Sequence, residues 1–268
     1  MRNQLSGFVL AVASLACCGI AQAANVMSFL GSVHLTGPIE PGDAARVAAT
    51  FEKFDSSPPL YIVSQGGNLK ESLKLPPIIK AKAAKVRVSG LCVSACASVL
   101  LPSHSVREAR KTAVIAFHAT DSIWFLEALD EMESLARADL RFAENLGDFI
   151  PRSRNEVQAL EEQLKAAFSL SGVDFEMFAR ASHFTRKRLK RLQYDSARKE
   201  LDIDPEPATT CSYWVPDEIE LRKMGIEFRG GYKRLPLPEL AEQLKVPPSQ
   251  ILLSLEDAEV QCQQLPKG

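Results

Sequence analysis

Three groups of residues in this chain are of types that could do covalent chemistry together. Ser94 sits within Leu91-Cys92-Val93-Ser94-Ala95-Cys96-Ala97. His118 closes the run Val114-Ile115-Ala116-Phe117. Gly66 and Gly67 follow Leu60-Tyr61-Ile62-Val63 after Ser64 and Gln65. A serine hydroxyl is a weak nucleophile until a base takes its proton, and histidine is the side chain suited to that near neutral pH. A serine at the start of a helix has backbone N–H groups without intrahelical partners beside it, and the dipole there favours a developing oxyanion. The Ala95 N–H is therefore a candidate oxyanion donor. A glycine turn on the neighbouring strand is a natural second donor, because glycine lets backbones approach closely. Loss of one such donor costs about 2.7–4 kcal/mol in a characterised protease. Taken singly, each residue has an ordinary structural reading: a helix cap, a turn, a strand-end histidine. Their order along the chain, each at the end of a strand-like run, is what points to acyl transfer.

The cysteines surround the same place. Cys92 and Cys96 flank Ser94, and Cys211 and Cys262 stand far along the chain. Four cysteines allow three pairings, which the sequence leaves open. Two residues four apart on a helix have Cα atoms about 6 Å apart, within disulfide range. A Cys92–Cys96 bridge would stiffen the Ser94 turn, and the alternative is that these are small buried residues. A zinc site is the weaker reading, since no His or Cys pair at metal spacing accompanies Cys92-x-x-x-Cys96. No metal and no cofactor is expected.

The elements that must position these residues alternate. Val26 to Leu35 reads as a strand. Asp43 caps a helix carrying Ala44, Val47, Ala48, Phe51 and Phe54 at helical spacing. Leu60–Val63 is a short apolar run, as expected of a strand covered on both faces. A helix is predicted over about 69–81, a strand at Lys85–Val88, an apolar helix over Leu91–Leu101, and a strand over Ala113–Phe117. This predicts an α/β fold with parallel pairing, whose functional groups gather at the carboxyl ends of the strands. From 121 to 200 the pattern is helical, with no good strand. Ser153-x-x-Glu156 reads as a capping box, and Phe175 and Phe178 begin a further helix. The basic run Arg186–Arg191 reads as a solvated helix face balancing the acidic stretch before it, with an anionic-ligand patch as the lesser alternative. The segment 202–210 reads as a polar connector. A helix is expected over Val215–Gly225, then an edge strand over Ile226–Phe228, and a tail from Pro236.

The chain has 268 residues and a net charge of −1, with 46% hydrophobic and 7% aromatic residues. That balance fits a folded core and disfavours nucleic-acid binding, which calls for a basic surplus or aromatic stacking platforms. Residues 1–23 read as a secretory signal peptide: Arg2, an apolar run from Phe8 to Ala13, and Ala21-Gln22-Ala23 as the cleavage site. The lipoprotein alternative at Cys17 or Cys18 fits less well, because Ser14 and Cys17 stand where an aliphatic and a small residue are called for. Cleavage after Ala23 implies an exported, periplasmic or secreted protein in an oxidising compartment, where thiols pair. No integral membrane span is expected beyond the signal.

These motifs resemble a known family. Leu60–Gly67 resembles the strand and S-P-G-G turn of the Clp-protease proteolytic subunit (ClpP), within the ClpP/crotonase superfamily. Leu91–Leu101 resembles its nucleophile turn and helix, and Ala116-Phe117-His118 its strand ending in the catalytic histidine. Val215–Gly225 with Ile226 resembles its late helix, and Leu30–Ile39 its opening strand and G-x-I turn. The resemblance covers about 26–120 and 211–230, and is nearest to exported ClpP-like proteins. It implies a ClpP/crotonase-like domain over 24–235, of repeated strand-strand-helix units with an additional helical segment at about 121–200. It also implies a homo-oligomer acting on a peptide or protein substrate. By the same resemblance Ser94 is the nucleophile, His118 the base, and Gly67 and Ala95 the oxyanion donors. Gln65 replaces the family's proline. The family's third acid falls in Thr209–Trp214, which holds no carboxylate, and Asp121 is the substitute. The resemblance also places Cys211 near the site, so that Cys92 or Cys96 could pair with it instead. The alternatives to a serine peptidase are a catalytically inactive binding or scaffold protein of the same fold, and a Ser/Lys peptidase using Lys111.

Overall fold

Strand-forming runs covered on both faces assemble into one mixed sheet in the computed structural model, which describes residues 23–119, 122–138, 149–195 and 200–265. Strands β1 (Asn25–Phe29) and β2 (Ser32–Thr36) form an antiparallel hairpin. The single strand expected there is broken because Leu30 and Gly31 both take positive φ, 45° and 73°, which reverses the chain. Helix α1 (Asp43–Phe51) buries Ala44, Val47 and Phe51. Strand β3 (Leu60–Ser64) pairs parallel with β2. Two helices follow where one is expected: α2 (Leu69–Ser72) and α3 (Leu75–Lys82). Pro76 and Pro77 lack N–H donors, so they open a new helix rather than continue the old one.

Strand β4 (Val86–Val93) does more than the four-residue strand expected of it. Its first half pairs with β5 (Arg107–Ala109) and its second half with β6 (Val114–Ala116), both parallel. The change of partner occurs at a bulge, where the step from Ile62 to Ser64 on β3 is matched by that from Val88 to Cys92 on β4. Gly90 sits in the bulge, and a Cβ there would lie 3.3 Å from Val63 Cγ1. The apolar run Leu91–Leu101 is therefore strand first. Helix is confined to one π-turn over Cys96–Leu100, closed by Leu101 N–H to Cys96 O at 3.1 Å.

The helical segment is present: α4 (Ser122–Ala138), α5 (Phe149–Leu170) and α6 (Phe175–Phe184). Ser153 lies inside α5 and caps nothing, because the helix is already under way at Phe149, where Ile150 packs with Leu129 and Met132 of α4. Arg186–Arg191 is not a helix face. It enters strand β7 (Lys187–Asp195), paired antiparallel with β8 (Glu200–Pro207). The partners of its cations come from the segment read as a connector: Arg188 pairs with Glu206 at 2.6 Å and Lys190 with Asp204 at 3.7 Å. Alternating charges read as a helix face can equally be one face of a hairpin.

Strand β9 (Tyr213–Trp214) pairs with β10 (Ile251–Leu252), and Trp214 also bridges to Phe117 just beyond β6. Helix α7 (Glu218–Lys223) opens with a capping box between Asp217 and Glu220. Ile226–Phe228 is not a strand. Gly225, at φ 88°, ends the helix, and Ile226 N–H returns to Leu221 O at 2.8 Å. Helix α8 (Leu237–Leu244) and β10 cover the outer face of β6, where Leu240 and Ile251 pack with Val93, Val114, Ala116 and Val215. Ile115 and Phe117 face the main core.

Candidate functional site

Ser94 follows β4 directly, with φ at 57°. A left-handed conformation is strained for a residue with a side chain, and it persists only where the surroundings fix it. Here they do. Ser94 N–H donates to Ala116 O of β6 at 3.1 Å, and Ser94 O accepts Ser98 N–H at 2.9 Å and the Ser98 hydroxyl at 3.1 Å. A disulfide joins Cys92 to Cys96, with Cα atoms 5.1 Å apart, so Ser94 lies at the centre of a covalently closed turn. The second disulfide joins Cys211 to Cys262, so the pairing of Cys211 with Cys92 or Cys96 is not formed.

The glycine turn packs onto this serine. A Cβ on Gly66 would stand 2.6 Å from Ser94 Cβ and 2.8 Å from Val93 O. On its other side, Ile39 N–H donates to Gly66 O at 2.7 Å, and Asn68 N–H donates to Ile39 O at 2.8 Å. A Cβ on Gly67 would fall 2.3 Å from Ile39 O. The turn is thus clamped between Ile39 and Ser94, and the Ser64 hydroxyl accepts Gly66 N–H at 3.0 Å. Neither the Gly67 N–H nor the Ala95 N–H has an acceptor among the described residues. With helix limited to a π-turn, a helix dipole adds little at Ser94, and these two N–H groups are what the turn offers an anion.

His118 lies at the same end of the sheet. Val93 pairs with Ala116, so Ser94 and His118 follow the paired ends of neighbouring strands. Phe117 and Trp214 exchange two backbone hydrogen bonds, each at 2.8 Å, which fixes the chain just before His118. Just after it, Ala119 N–H donates to the Thr185 hydroxyl at 2.9 Å. His118 Nδ1 is 2.6 Å from Ala119 O. A carbonyl only accepts, so Nδ1 carries the hydrogen and Nε2 is the basic nitrogen of the neutral ring. Tyr213 stands edge-on to His118, with ring centroids 5.7 Å apart. Burial pushes the Tyr213 hydroxyl above its ordinary pKa. Asp121 lies outside the described residues. Lys111 is exposed before the opposite end of β6, which separates it from Ser94.

Two cavities adjoin these residues and share Tyr213 as a wall. One, of about 220 Å³, is lined by His118, Thr185, Arg186 and Val246. The other, of about 240 Å³, is lined by Gln65, Leu91, Val93 and Leu244. Ser94, His118 and the glycine pair, singled out in the sequence, come to one end of the sheet. The sequence did not place Tyr213 or Arg186 beside His118, because both arrive through long-range packing. Gly66, the glycine touching Ser94, was legible only as half of a pair. Among the described residues no cluster of three or more His, Cys, Asp or Glu stands ready to hold a metal ion.

No protein-family model matches this chain. No curated protein matches it in sequence. Among solved structures, the chain is similar to the crystal structure of the ClpP protease catalytic domain from Plasmodium falciparum, at 17% identity and a TM-score of 0.40, over 76% of this chain and 86% of that one.

Proposed function

We propose that this chain is an exported serine hydrolase that cleaves peptide bonds through Ser94 and His118. The observation that carries the reading is the strained Ser94, at φ 57° against the Gly66-Gly67 turn, with the Ala95 and Gly67 N–H groups lacking acceptors among the described residues. In this mechanism Ser94 Oγ attacks the scissile carbonyl carbon as its proton passes to His118 Nε2. The oxyanion accepts from Ala95 and Gly67. The C–N bond then breaks as His118 returns the proton to the leaving amine, and water releases the acyl group by the same steps reversed. The Ala119 carbonyl accepts from Nδ1 and helps to orient the ring.

Two features support export. Both disulfides suit an oxidising compartment, and no helix among the described residues is long and apolar enough to cross a membrane. The expected cleavage point also falls where the core begins. Ala24 is buried, with its N 3.3 Å from Asp43 Oδ2 and its O accepting from Arg46 at 3.0 Å. Cleavage after Ala23 would turn that amide donor into an ammonium facing a carboxylate.

The test is fluorophosphonate labelling of the oxidised chain from Ala24 onward, read by peptide mass. Labelling confined to Ser94, and lost in Ser94→Ala and His118→Ala, is expected. The rival is a binding protein of the same fold without turnover. A folded, disulfide-bonded sample that takes no label would establish that rival.

A further inference from the structure

We infer that the cavity beside His118 is a carboxylate-binding subsite anchored by Arg186; this rests on Ser94 being the nucleophile. Arg186 lines that cavity together with His118, Thr185, Lys187 and Tyr213, and no Asp or Glu lines it among the described residues. Further along the same strand, Arg188 pairs with Glu206 and Lys190 with Asp204. Arg186 has no such partner among the described residues, and its Nε is buried without an acceptor. A buried guanidinium donor left unsatisfied is costly, and a planar carboxylate is the group whose geometry matches it.

Its position is fixed by backbone. Arg186 O accepts Ala208 N–H at 3.0 Å. The preceding residue, Thr185, holds Ala119 N–H and donates to Ala181 O at 3.0 Å. The backbone that carries Arg186 is therefore tied through Thr185 to the segment carrying the base. A carboxylate bound there belongs to a substrate residue close to the scissile bond. It comes either from an acidic side chain or from the carboxyl terminus of a short peptide product or substrate.

Peptidyl phosphonate probes test this directly, because the rate of Ser94 labelling is itself the readout. Three matched probes are needed: one neutral, one with a Glu-like side chain next to the phosphonate, and one with a free terminal carboxylate. One of the two acidic probes is expected to label at least about ten-fold faster than the neutral probe, and the faster one identifies the source. In Arg186→Gln the ratio of the faster acidic probe's labelling rate to the neutral probe's is expected to fall to about one, and Arg186→Lys restores part of it. Equal rates for all three probes at a labelled Ser94, or an acidic advantage that survives in Arg186→Gln, would overturn the subsite and leave the nucleophile standing. No labelling by any probe would remove both.

Discussion

Gly66 is the single position on which the site's geometry depends most. It takes φ 94°, and any side chain there meets Ser94 Cβ and the Val93 carbonyl at under 3 Å. Gly66→Ala is expected to cost about 2 kcal/mol or more of stability, from left-handed strain plus displacement of the Ser94 turn. Ser94 labelling should be lost with it, while both disulfides still form. Denaturant unfolding and label stoichiometry measure the two effects separately. Ser94 and His118 were legible in the sequence because each follows an apolar strand. What the sequence withheld is conformation: no local pattern states that Ser94 is left-handed or that Gly66, rather than Gly67, touches it. The placement of Tyr213 and Arg186 was not legible for a related reason, since only the folding back of the chain after α6 and before α7 brings them to His118.

Among the elements, β4 is held to β5 by charge as well as by backbone bonds. Glu108 accepts from Lys85 at 2.8 Å and from Arg87 Nε at 2.7 Å, and Arg87 also donates to the Tyr61 hydroxyl at 2.9 Å. The Lys85 hydrogen bond, the largest cause, acts with Arg87 to hold the Glu108 carboxyl below the ordinary range against the opposing effect of burial, which ranks second. A lowered carboxyl pKa stabilises the fold above the unfolded-state value, and that contribution is lost as pH falls through the folded value. Glu108→Gln should therefore cost about 1 kcal/mol at neutral pH, the upper end for partly exposed ion pairs. The difference from wild type should vanish in acid below the usual carboxylate range, as thermal unfolding across pH would record. A constant difference at all pH values would show that packing, not charge, is lost. The strand β5 and the hairpin β7–β8 were the elements least legible from sequence. β5 has three residues and no apolar run, while the hairpin's charges fit a helical face equally well until its acidic partner strand is known.

For the whole molecule, α8 and β10 enclose the second face of β6, and the Cys211–Cys262 disulfide fastens this late segment across a separation of 51 residues. Cys92–Cys96 closes a separation of only 4. Loop-closure entropy scales with the logarithm of loop length. Removing Cys211–Cys262 should cost up to about 4 kcal/mol, and removing Cys92–Cys96 about 2 kcal/mol. Calorimetry of the two double-alanine variants would rank them. The shorter bridge, which encloses Ser94, should instead dominate the loss of labelling rate. The α/β class and the parallel core were legible because buried parallel strands leave continuous apolar runs. The closure of the site by chain from after residue 210 was not, because it depends on pairings between segments far apart. The most direct test of the whole account is a crystal structure of the phosphonylated chain. The account predicts a bond from Ser94 Oγ to phosphorus, with the phosphonyl oxygen about 2.7–3.1 Å from both Gly67 N and Ala95 N. An adduct on another residue, or a phosphonyl oxygen turned away from these two amides, would contradict it.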